Sequence, residues 1–231
     1  MTAAGKGRVR FYLNQRWGDV ETRVARLGDA IGLVAGSDSR VQWRSAARHL
    51  GDQLKPYGVA LDVDATSVRR IKVYSAARSA TVDAIASYVQ TAVPNADLQP
   101  AELLVELCER AGGWNRPWMV MPCLEFDRES DVVRAKIDVA LCALRSSDVA
   151  LDGVMRDMLR AGSLPSDDYD GVMAAMSSRA LNHVRPERLQ YASVGCVPGR
   201  PELTVYFSPD LIDVDDRSLL ASSACTTDAL V

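Results

Sequence analysis

The sequence has 231 residues, 48% of them hydrophobic, and a net charge of −3. This length and composition can bury the core of one domain, and the charge excludes an overall basic surface for nucleic acid. No apolar run reaches the roughly 18 residues that cross a bilayer, and residues 1–6 lack the apolar stretch of a signal peptide. The five isolated cysteines are typical of reduced cytoplasmic thiols. We therefore expect a cytoplasmic protein with neither nucleic-acid nor membrane partners.

Helices and strands are predicted to alternate in blocks along the chain. The first element is a basic strand around 8–12, and apolar residues at helical spacing then predict a pair of helices. Pro56 and Gly58 end the second helix, and an alternating hairpin follows. The same order then repeats twice. The predicted helix pairs cover 20–34 and 41–54, 80–93 and 100–111, and 147–161 and 168–184; the predicted hairpins cover 59–64 and 68–75, 118–127 and 131–141, and 189–197 and 202–208.

One strand followed by three helix–helix–strand–strand units, at a period of roughly 60 residues, indicates a repeated supersecondary unit around a common core. Antiparallel hairpins that alternate with helix pairs predict an α+β fold in which the helices cover one face of the sheet. The other face would lie in solvent in a flat sheet, or in a central lumen in a closed barrel. We expect one domain over residues 1–212 and a polar tail over 213–231.

The strands carry basic residues at alternate positions. Strand side chains alternate between the two faces of a sheet, so Arg70, Lys72 and Tyr74 share one face. Lys136 on a later strand and Arg10 on the first are predicted to join them. Cationic strands that share one polar wall favour a strongly anionic ligand such as a diphosphate.

Interpretations of these residues that involve no binding site remain open. A basic residue on a strand is usually part of a solvated face, and Tyr191 and Tyr206 fit a half-buried sheet by β-propensity alone. Asp62 and Glu125 fall on the same predicted face as the cations and could simply neutralise them. The sequence contains no nucleotide-binding glycine loop, zinc-protease motif or hydrolase nucleophile elbow.

The strand motifs resemble those of the DMATS-type aromatic prenyltransferases, the tryptophan and indole dimethylallyltransferases, including their bacterial members. Arg70, Lys72 and Tyr74 match the Arg-x-Lys-x-Tyr strand of that family. Arg10 and Tyr12 are similar to an earlier Lys-x-Tyr strand. The resemblance runs from about residue 8 to residue 210; its other parts are the Lys136–Asp138 strand followed by Asp148, and the C-terminal hairpin at 189–209 that carries Tyr191 and Tyr206.

The resemblance implies an antiparallel (ABBA-type) barrel of ten strands, surrounded by helices, with the active site in its lumen. It implies transfer of a dimethylallyl or longer prenyl group from an allylic diphosphate to an aromatic small molecule, in alkaloid or other secondary metabolism. Fixed Arg and Lys donors would stabilise the diphosphate leaving group without a metal cofactor, and tyrosine faces would shelter the allylic cation. The diphosphate candidates are Arg10, Arg70, Lys72 and Lys136, and the carbocation-shielding candidates are Tyr12, Tyr74, Tyr191 and Tyr206.

Two departures from the family pattern bear on activity. Seven strands are predicted instead of ten, so the chain would form an incomplete barrel, the C-terminal two-thirds of the family's domain. The glutamate that accepts the indole N–H proton in the family belongs to the N-terminal part, so no catalytic base is assigned here. Asp138 stands where the family has tyrosine, and it could hold Mg²⁺. A catalytically impaired homologue, and a module that binds a small anion or a partner strand, are therefore the alternative hypotheses.

Overall fold

A computed structural model describes residues 9–14, 18–51, 53–77, 81–113, 120–177, 189–200 and 202–207. These residues form seven strands and five α-helices. The strands are β1 (Val9–Asn14), β2 (Leu54–Val63), β3 (Val68–Ala77), β4 (Val120–Asp127), β5 (Ser130–Ala140), β6 (Leu189–Gly195) and β7 (Leu203–Phe207). The helices are α1 (Val20–Ala46), α2 (Val82–Ala92), α3 (Gln99–Ala111), α4 (Asp148–Ala161) and α5 (Asp167–Ser177).

The seven strands form one antiparallel sheet in which spatial order equals chain order, from β1 to β7. Every neighbouring pair of strands is therefore joined either by a tight hairpin or by a segment that contains helices. Within the described residues, β1 and β7 are the two edges of the sheet. The predicted α+β fold, an incomplete antiparallel barrel built from helix–helix–hairpin units, is confirmed.

The helices pack on one face of the sheet and enclose the hydrophobic core. Alternate strand residues such as Val73, Leu124 and Ile137 are buried against them. From the helical side, Ile31 and Trp43 belong to the same cluster, and the indole ring of Trp43 meets Phe126 of β4 edge to face. Further members of the core come from α2, α3 and α4, and Tyr169 of α5 joins them. The opposite face of the sheet is consequently left to the polar positions of the strands.

The first predicted helix pair is present, but its two members are almost continuous. α1 runs from Val20 to Ala46, and its helical path is broken at Gly36, whose φ of 91° is a conformation that glycine adopts readily. Asp19 caps the start of α1, because its carboxylate accepts a hydrogen bond from the backbone N–H of Thr22. Thr81 and Ser147 cap α2 and α4 in the same way.

The predicted helix over 41–54 is wrong at its C-terminal end, because β2 already begins at Leu54. The sequence predicts that Pro56 ends the helix, yet Pro56 pairs with Ser75 in the sheet. Among the described residues, β1 pairs with β2 only as far as Gly58, and there β2 is locally an edge strand at Pro56. Proline is tolerated there because its missing N–H has no ladder partner to lose. A register shift between Pro56 and Gly58 accommodates Tyr57.

The predicted strand at 59–64 starts too late, since β2 already begins at Leu54. The other predicted elements agree with the structure to within about two residues at each described end. Some predictions lie outside the described residues: the start of the strand at 118, the end of the helix at 178–184, and the tail at 213–231.

Candidate functional site

The polar face of the sheet carries basic and acidic side chains on neighbouring strands. The register pairs Arg10 with Asp62 and Asp62 with Arg70. It pairs Arg70 with Asp127 and Lys72 with Glu125 on the next strand. Opposite charges that face each other across strands attract, so the register itself places the predicted cations beside carboxylates.

Each of these cations forms an ion pair in the folded protein. Nε of Arg10 lies 2.5 Å from Oδ1 of Asp62. Nε of Arg70 lies 3.1 Å from Oδ2 of Asp127, and its Nη1 lies 3.2 Å from Oε2 of Glu125. Nζ of Lys72 lies 2.6 Å from Oε1 of Glu125. These six side chains form the charged region of the site: Arg10, Asp62, Arg70, Lys72, Glu125 and Asp127.

The ion pairs shift the pKa values in the charged region. A hydrogen bond to Asp62 raises the pKa of Arg10, and this effect exceeds the opposing effect of burial. Burial raises the pKa of Asp62, but the hydrogen bond and charge of Arg10 outweigh it, and the net pKa is lowered. The pKa of Asp127 is also lowered, since the backbone of Glu129 and the side chain of Arg70 overcome its burial. These groups are therefore ionised at neutral pH.

Beside the charged region lies a cavity of about 360 Å³ with a mostly aromatic and aliphatic wall. A cavity of this volume matches the usual size range of small-molecule sites. Asp138 is the one ionisable carboxylate in its lining. The rings of Tyr191 and Tyr206 meet edge to face at 6.4 Å. The lining residues are Tyr12, Leu13, Tyr57, Gly58, Val59, Tyr74, Met121, Asp138, Tyr191 and Tyr206.

Lys136 contacts residues that line the cavity. Its Nζ lies 2.9 Å from Oδ1 of Asp138, and it donates to the hydroxyl oxygens of Ser193 and Tyr206 at 3.2 and 3.3 Å. The same ammonium lies 5.4 Å from the ring centroid of Tyr74 and 5.7 Å from that of Tyr206. Ser193 in turn donates to Asp138 at 2.5 Å. The ammonium is therefore held between a carboxylate and two aromatic rings.

Burial and charge set the protonation states around Lys136. Burial lowers the pKa of Lys136, but the charge of Asp138 and its hydrogen bond outweigh burial, and the net pKa is raised. Burial raises the pKa of Tyr74. It also raises the pKa of Tyr206, although Lys136 opposes it. At neutral pH the lysine is therefore charged and both phenols are protonated.

The structure brings the four predicted tyrosines together, since Tyr12, Tyr74, Tyr191 and Tyr206 all line the cavity. The four predicted cations lie on the same polar face, but none of them is part of the cavity lining. Each of the four is instead bound to a carboxylate. The sequence left open whether the acidic residues neutralise the cations. In the structure they form ion pairs with them. Whether these side chains bind a diphosphate or shield a cation stays a prediction.

Sequence reasoning missed several residues of this site, among them Tyr57 and Ser193. Tyr57 lines the cavity because the irregularity in β2 accommodates it, but the sequence predicts it between a helix and the strand that follows. Ser193 is almost fully buried and faces Asp138 in the register. Its position two residues after Tyr191 places it on the same face of β6, and this spacing could have revealed it.

The sequence also predicts Asp138 as an alternative ligand for Mg²⁺. In the structure its carboxylate already accepts hydrogen bonds from other side chains. Both of its oxygens accept from Lys136, at 2.9 and 3.3 Å, and Oδ1 also accepts from Ser193. The described part of the chain contains no group of three or more His, Cys, Asp or Glu side chains placed to hold a metal ion. Among the described helices, none has the length and hydrophobicity needed to cross a bilayer.

Comparisons with known proteins rest on structure rather than on sequence. No protein-family model and no curated protein matches this chain. The fold is similar to that of 6-dimethylallyltryptophan synthase from Micromonospora olivasterospora, solved in complex with DMASPP and Trp, with a TM-score of 0.63 and 23% identity. It is also similar to 5-dimethylallyltryptophan synthase from Streptomyces coelicolor, with a TM-score of 0.65 and 18% identity. AnaPT from Neosartorya fischeri matches with a TM-score of 0.62 and 13% identity.

These matches differ in how much of each protein they include. They cover 87%, 88% and 87% of this chain, but only 57%, 57% and 53% of the respective known structures. The chain therefore spans little more than half the length of these proteins. At such low identity the likeness shows the fold, and it confirms the barrel fold that the strand motifs predicted.

Proposed function

We propose that this chain supplies the cationic wall and the aromatic cavity of an aromatic prenyltransferase, which transfers a dimethylallyl group from its diphosphate to an indole-type acceptor. One observation supports this proposal most directly: four tyrosines surround one cavity, and Lys136 and the charged region lie beside it. The fold in which they lie is shared with two dimethylallyltryptophan synthases. A longer prenyl group remains compatible with the proposal.

The first chemical step is the ionisation of the allylic C–O bond, whose electron pair leaves with the diphosphate. Arg10, Arg70, Lys72 and Lys136 would stabilise the charge that develops on the leaving group, because fixed donors need no reorganisation. One cation at ~4 Å contributes about 4 kcal/mol at an effective dielectric of 20, before the cost of desolvation. Several such groups could replace a metal ion, so we propose a reaction without a metal cofactor.

The allylic cation is then attacked by the π electrons of the aromatic acceptor, and the new carbon–carbon bond is completed when the ring loses a proton. Tyr12, Tyr74, Tyr191 and Tyr206 would exclude water and stabilise the cation through their ring faces, at about 0.5–2 kcal/mol for each ring. Burial raises the pKa of Tyr74 and of Tyr206, so these two phenols stay neutral and do not compete with the acceptor as nucleophiles. The base that takes the ring proton is not assigned among the described residues.

The test is turnover by the full chain with dimethylallyl diphosphate and L-tryptophan, in buffer with and without EDTA. We expect a product that carries one added dimethylallyl group by mass spectrometry, in equal amounts in both buffers. The variant Lys72→Met should lower its formation by at least tenfold, whereas Lys55→Met, an exposed lysine of β2, should not. Failure of the full chain to bind dimethylallyl diphosphate in calorimetry would contradict the proposal.

A catalytically impaired homologue is the second candidate. It is favoured by the carboxylates that already neutralise the predicted cations. This hypothesis predicts that the chain binds dimethylallyl diphosphate but forms no product from any aromatic acceptor. Product formed from L-tryptophan would exclude it.

A further inference from the structure

Glu125 is positioned between two of the predicted diphosphate ligands. Its Oε1 accepts from Nζ of Lys72 at 2.6 Å, and its Oε2 accepts from Nη1 of Arg70 at 3.2 Å. The side chains of Glu125 and Lys72 are only 11% and 8% exposed, and that of Arg70 is 24% exposed. One carboxylate therefore bridges two cations on neighbouring strands, in a place from which water is largely excluded.

The contacts of Glu125 resemble those that an anionic ligand would make with Arg70 and Lys72. Two oxygens joined by one central atom each take a hydrogen bond from a different cation, as two oxygens of one phosphate group would. The four predicted cations are matched by four carboxylates: Asp62, Glu125, Asp127 and Asp138. The cations on this wall therefore do not present an excess positive charge to an incoming anion.

We propose that Glu125 is a resident anion in the diphosphate site, and that a ligand must displace it from Arg70 and Lys72 in order to bind. This inference rests on the proposed function, which assigns these two cations to the diphosphate. Displacement separates Glu125 from both Arg70 and Lys72. The loss of these two ion pairs makes the binding free energy of every anion less favourable by the same amount.

The consequence is a threshold for binding. A single phosphate group that reaches only Arg70 and Lys72 exchanges one anion for another and gains little. A diphosphate can also reach further cations of the wall, and those additional contacts can exceed the loss. Glu125 would therefore keep small cellular anions out of the site and restrict it to ligands with an extended, multiply charged head.

The test is calorimetric titration of the full chain with inorganic pyrophosphate, for the wild type and for Glu125→Gln. Glutamine has the same shape and can still accept from Lys72, but it carries no charge. We expect Glu125→Gln to bind pyrophosphate at least tenfold more tightly. The matched control is Glu129→Gln, which removes the same charge from an exposed residue that pairs with Arg69 outside the charged region, and its affinity should equal that of the wild type.

A second variant keeps the test independent of the stability of Glu125→Gln. Glu125→Asp retains the charge but is one methylene shorter, so it cannot bridge both cations, and it should also bind pyrophosphate more tightly than the wild type. The proposal is supported if both Glu125 variants gain affinity, including the case in which only they bind measurably.

Equal or weaker binding by the Glu125 variants would overturn the inference while the proposed function stands, because Glu125 would then orient Arg70 and Lys72 for the ligand. An equal gain in Glu129→Gln would also overturn it, since bulk charge would explain the result. If neither the wild type nor any variant binds pyrophosphate, the inference falls together with the diphosphate site of the proposed function.

Discussion

Lys136 contacts more than one residue of the cavity wall. Its ammonium contacts Asp138, Ser193 and Tyr206, and it lies near the ring of Tyr74. Asp138 is 5% exposed, so its charge has little access to water and depends on Lys136 for compensation. A buried ion pair of this kind is costly to break, because removal of one partner leaves the other charge unpaired.

We predict that Lys136→Met lowers the free energy of unfolding by about 3–5 kcal/mol. The double variant Lys136→Met/Asp138→Asn should lose less than the sum of the two single variants, since it leaves no unpaired charge. Urea denaturation followed by circular dichroism measures all three. The control Lys55→Met, at an exposed position, should change stability by no more than about 0.5 kcal/mol. An equal loss in Lys136→Met and Lys55→Met would contradict the dependence of Asp138 on Lys136.

Tyr206 permits a test of cation shielding that is separate from folding. We expect Tyr206→Leu to raise the ratio of hydrolysed prenyl alcohol to prenylated acceptor, because an allylic cation without its aromatic neighbour is captured by water. A ring contact worth about 0.5–2 kcal/mol corresponds to an increase of about 2- to 30-fold in that ratio. Both products can be quantified by chromatography.

The conservative variant Tyr206→Phe is the control for this measurement. It keeps the ring and removes only the hydroxyl that accepts from Lys136, so its product ratio should stay close to that of the wild type. If Tyr206→Phe and Tyr206→Leu raise the ratio equally, the hydroxyl and not the ring face is what matters.

At the residue scale, the sequence predicts which side chains share the polar face but not which partners they choose. The period-two alternation placed Arg70, Lys72 and Tyr74 together correctly, because it depends only on strand geometry. The bridge from Glu125 to both Arg70 and Lys72 depends on the register between β3 and β4, which no local pattern specifies. The same holds for Ser193, whose contact with Asp138 crosses from β5 to β6.

Among the elements, the junction between α3 and β5–α4 is held by a backbone contact that only glycine permits. Gly112 ends α3 with a φ of 153°, and a Cβ built there would lie 2.4 Å from the carbonyl oxygen of Arg145. The backbone N–H of Arg145 also donates to the carbonyl of Gly113 at 2.8 Å. The close approach of these two chain segments therefore requires a residue without a side chain.

We predict that Gly112→Ala destabilises the fold by about 1–3 kcal/mol, because alanine is strained at this backbone conformation and collides with Arg145. Gly153→Ala is the matched control: it lies within α4, and nothing lies within 4 Å of an added Cβ. Alanine there should stabilise the protein by about 0.5–1 kcal/mol through helix propensity. In thermal unfolding we therefore expect a lower Tm for Gly112→Ala and a higher Tm for Gly153→Ala, each relative to the wild type. Two variants of equal stability would show that the α3 junction can relax.

The order and type of the elements could be predicted because helical and strand periodicity are local properties. The error at residues 54–58 has a tertiary cause. Proline and glycine normally end a helix, but within the described part of the chain the pairing of β1 with β2 stops at Gly58, and the strand tolerates Pro56. That outcome depends on the length of a partner strand and cannot be read from the motif itself.

For the molecule as a whole, the strands in the middle of the sheet are the most deeply buried, and β1 is the most exposed. The outward side chains Val9, Phe11 and Leu13 of β1 are 51–55% exposed, whereas the equivalent residues of β3 and β4 are buried. The contribution of β1 to the site, through Arg10 and Tyr12, therefore depends largely on its pairing with β2 and on the ion pair between Arg10 and Asp62. Regions with few buried contacts are the first to open locally.

This dependence predicts how acid affects the site. Asp62 and Asp127 have pKa values below those of the unfolded chain, where an aspartate titrates near 3.9. A lowered pKa in the folded state means that the stability these groups contribute is complete above about pH 5. It is lost as the pH falls through the folded-state pKa values. We therefore expect the Tm to fall steeply below about pH 4, with the backbone amides of β1 exchanging faster before the rest of the sheet unfolds.

Asp62→Asn and Arg10→Met identify the ion pair as the cause. Each removes one partner, so each variant should have a lower Tm than the wild type at pH 6, and the difference should shrink as the pH approaches 2. Calorimetry gives the Tm, and hydrogen exchange of the β1 amides, compared with those of β4, locates the change. A difference in Tm that stays constant from pH 6 to pH 2 would mean that Arg10 and Asp62 hold β1 by packing and not by charge. In that case the acid-sensitive step belongs elsewhere in the fold.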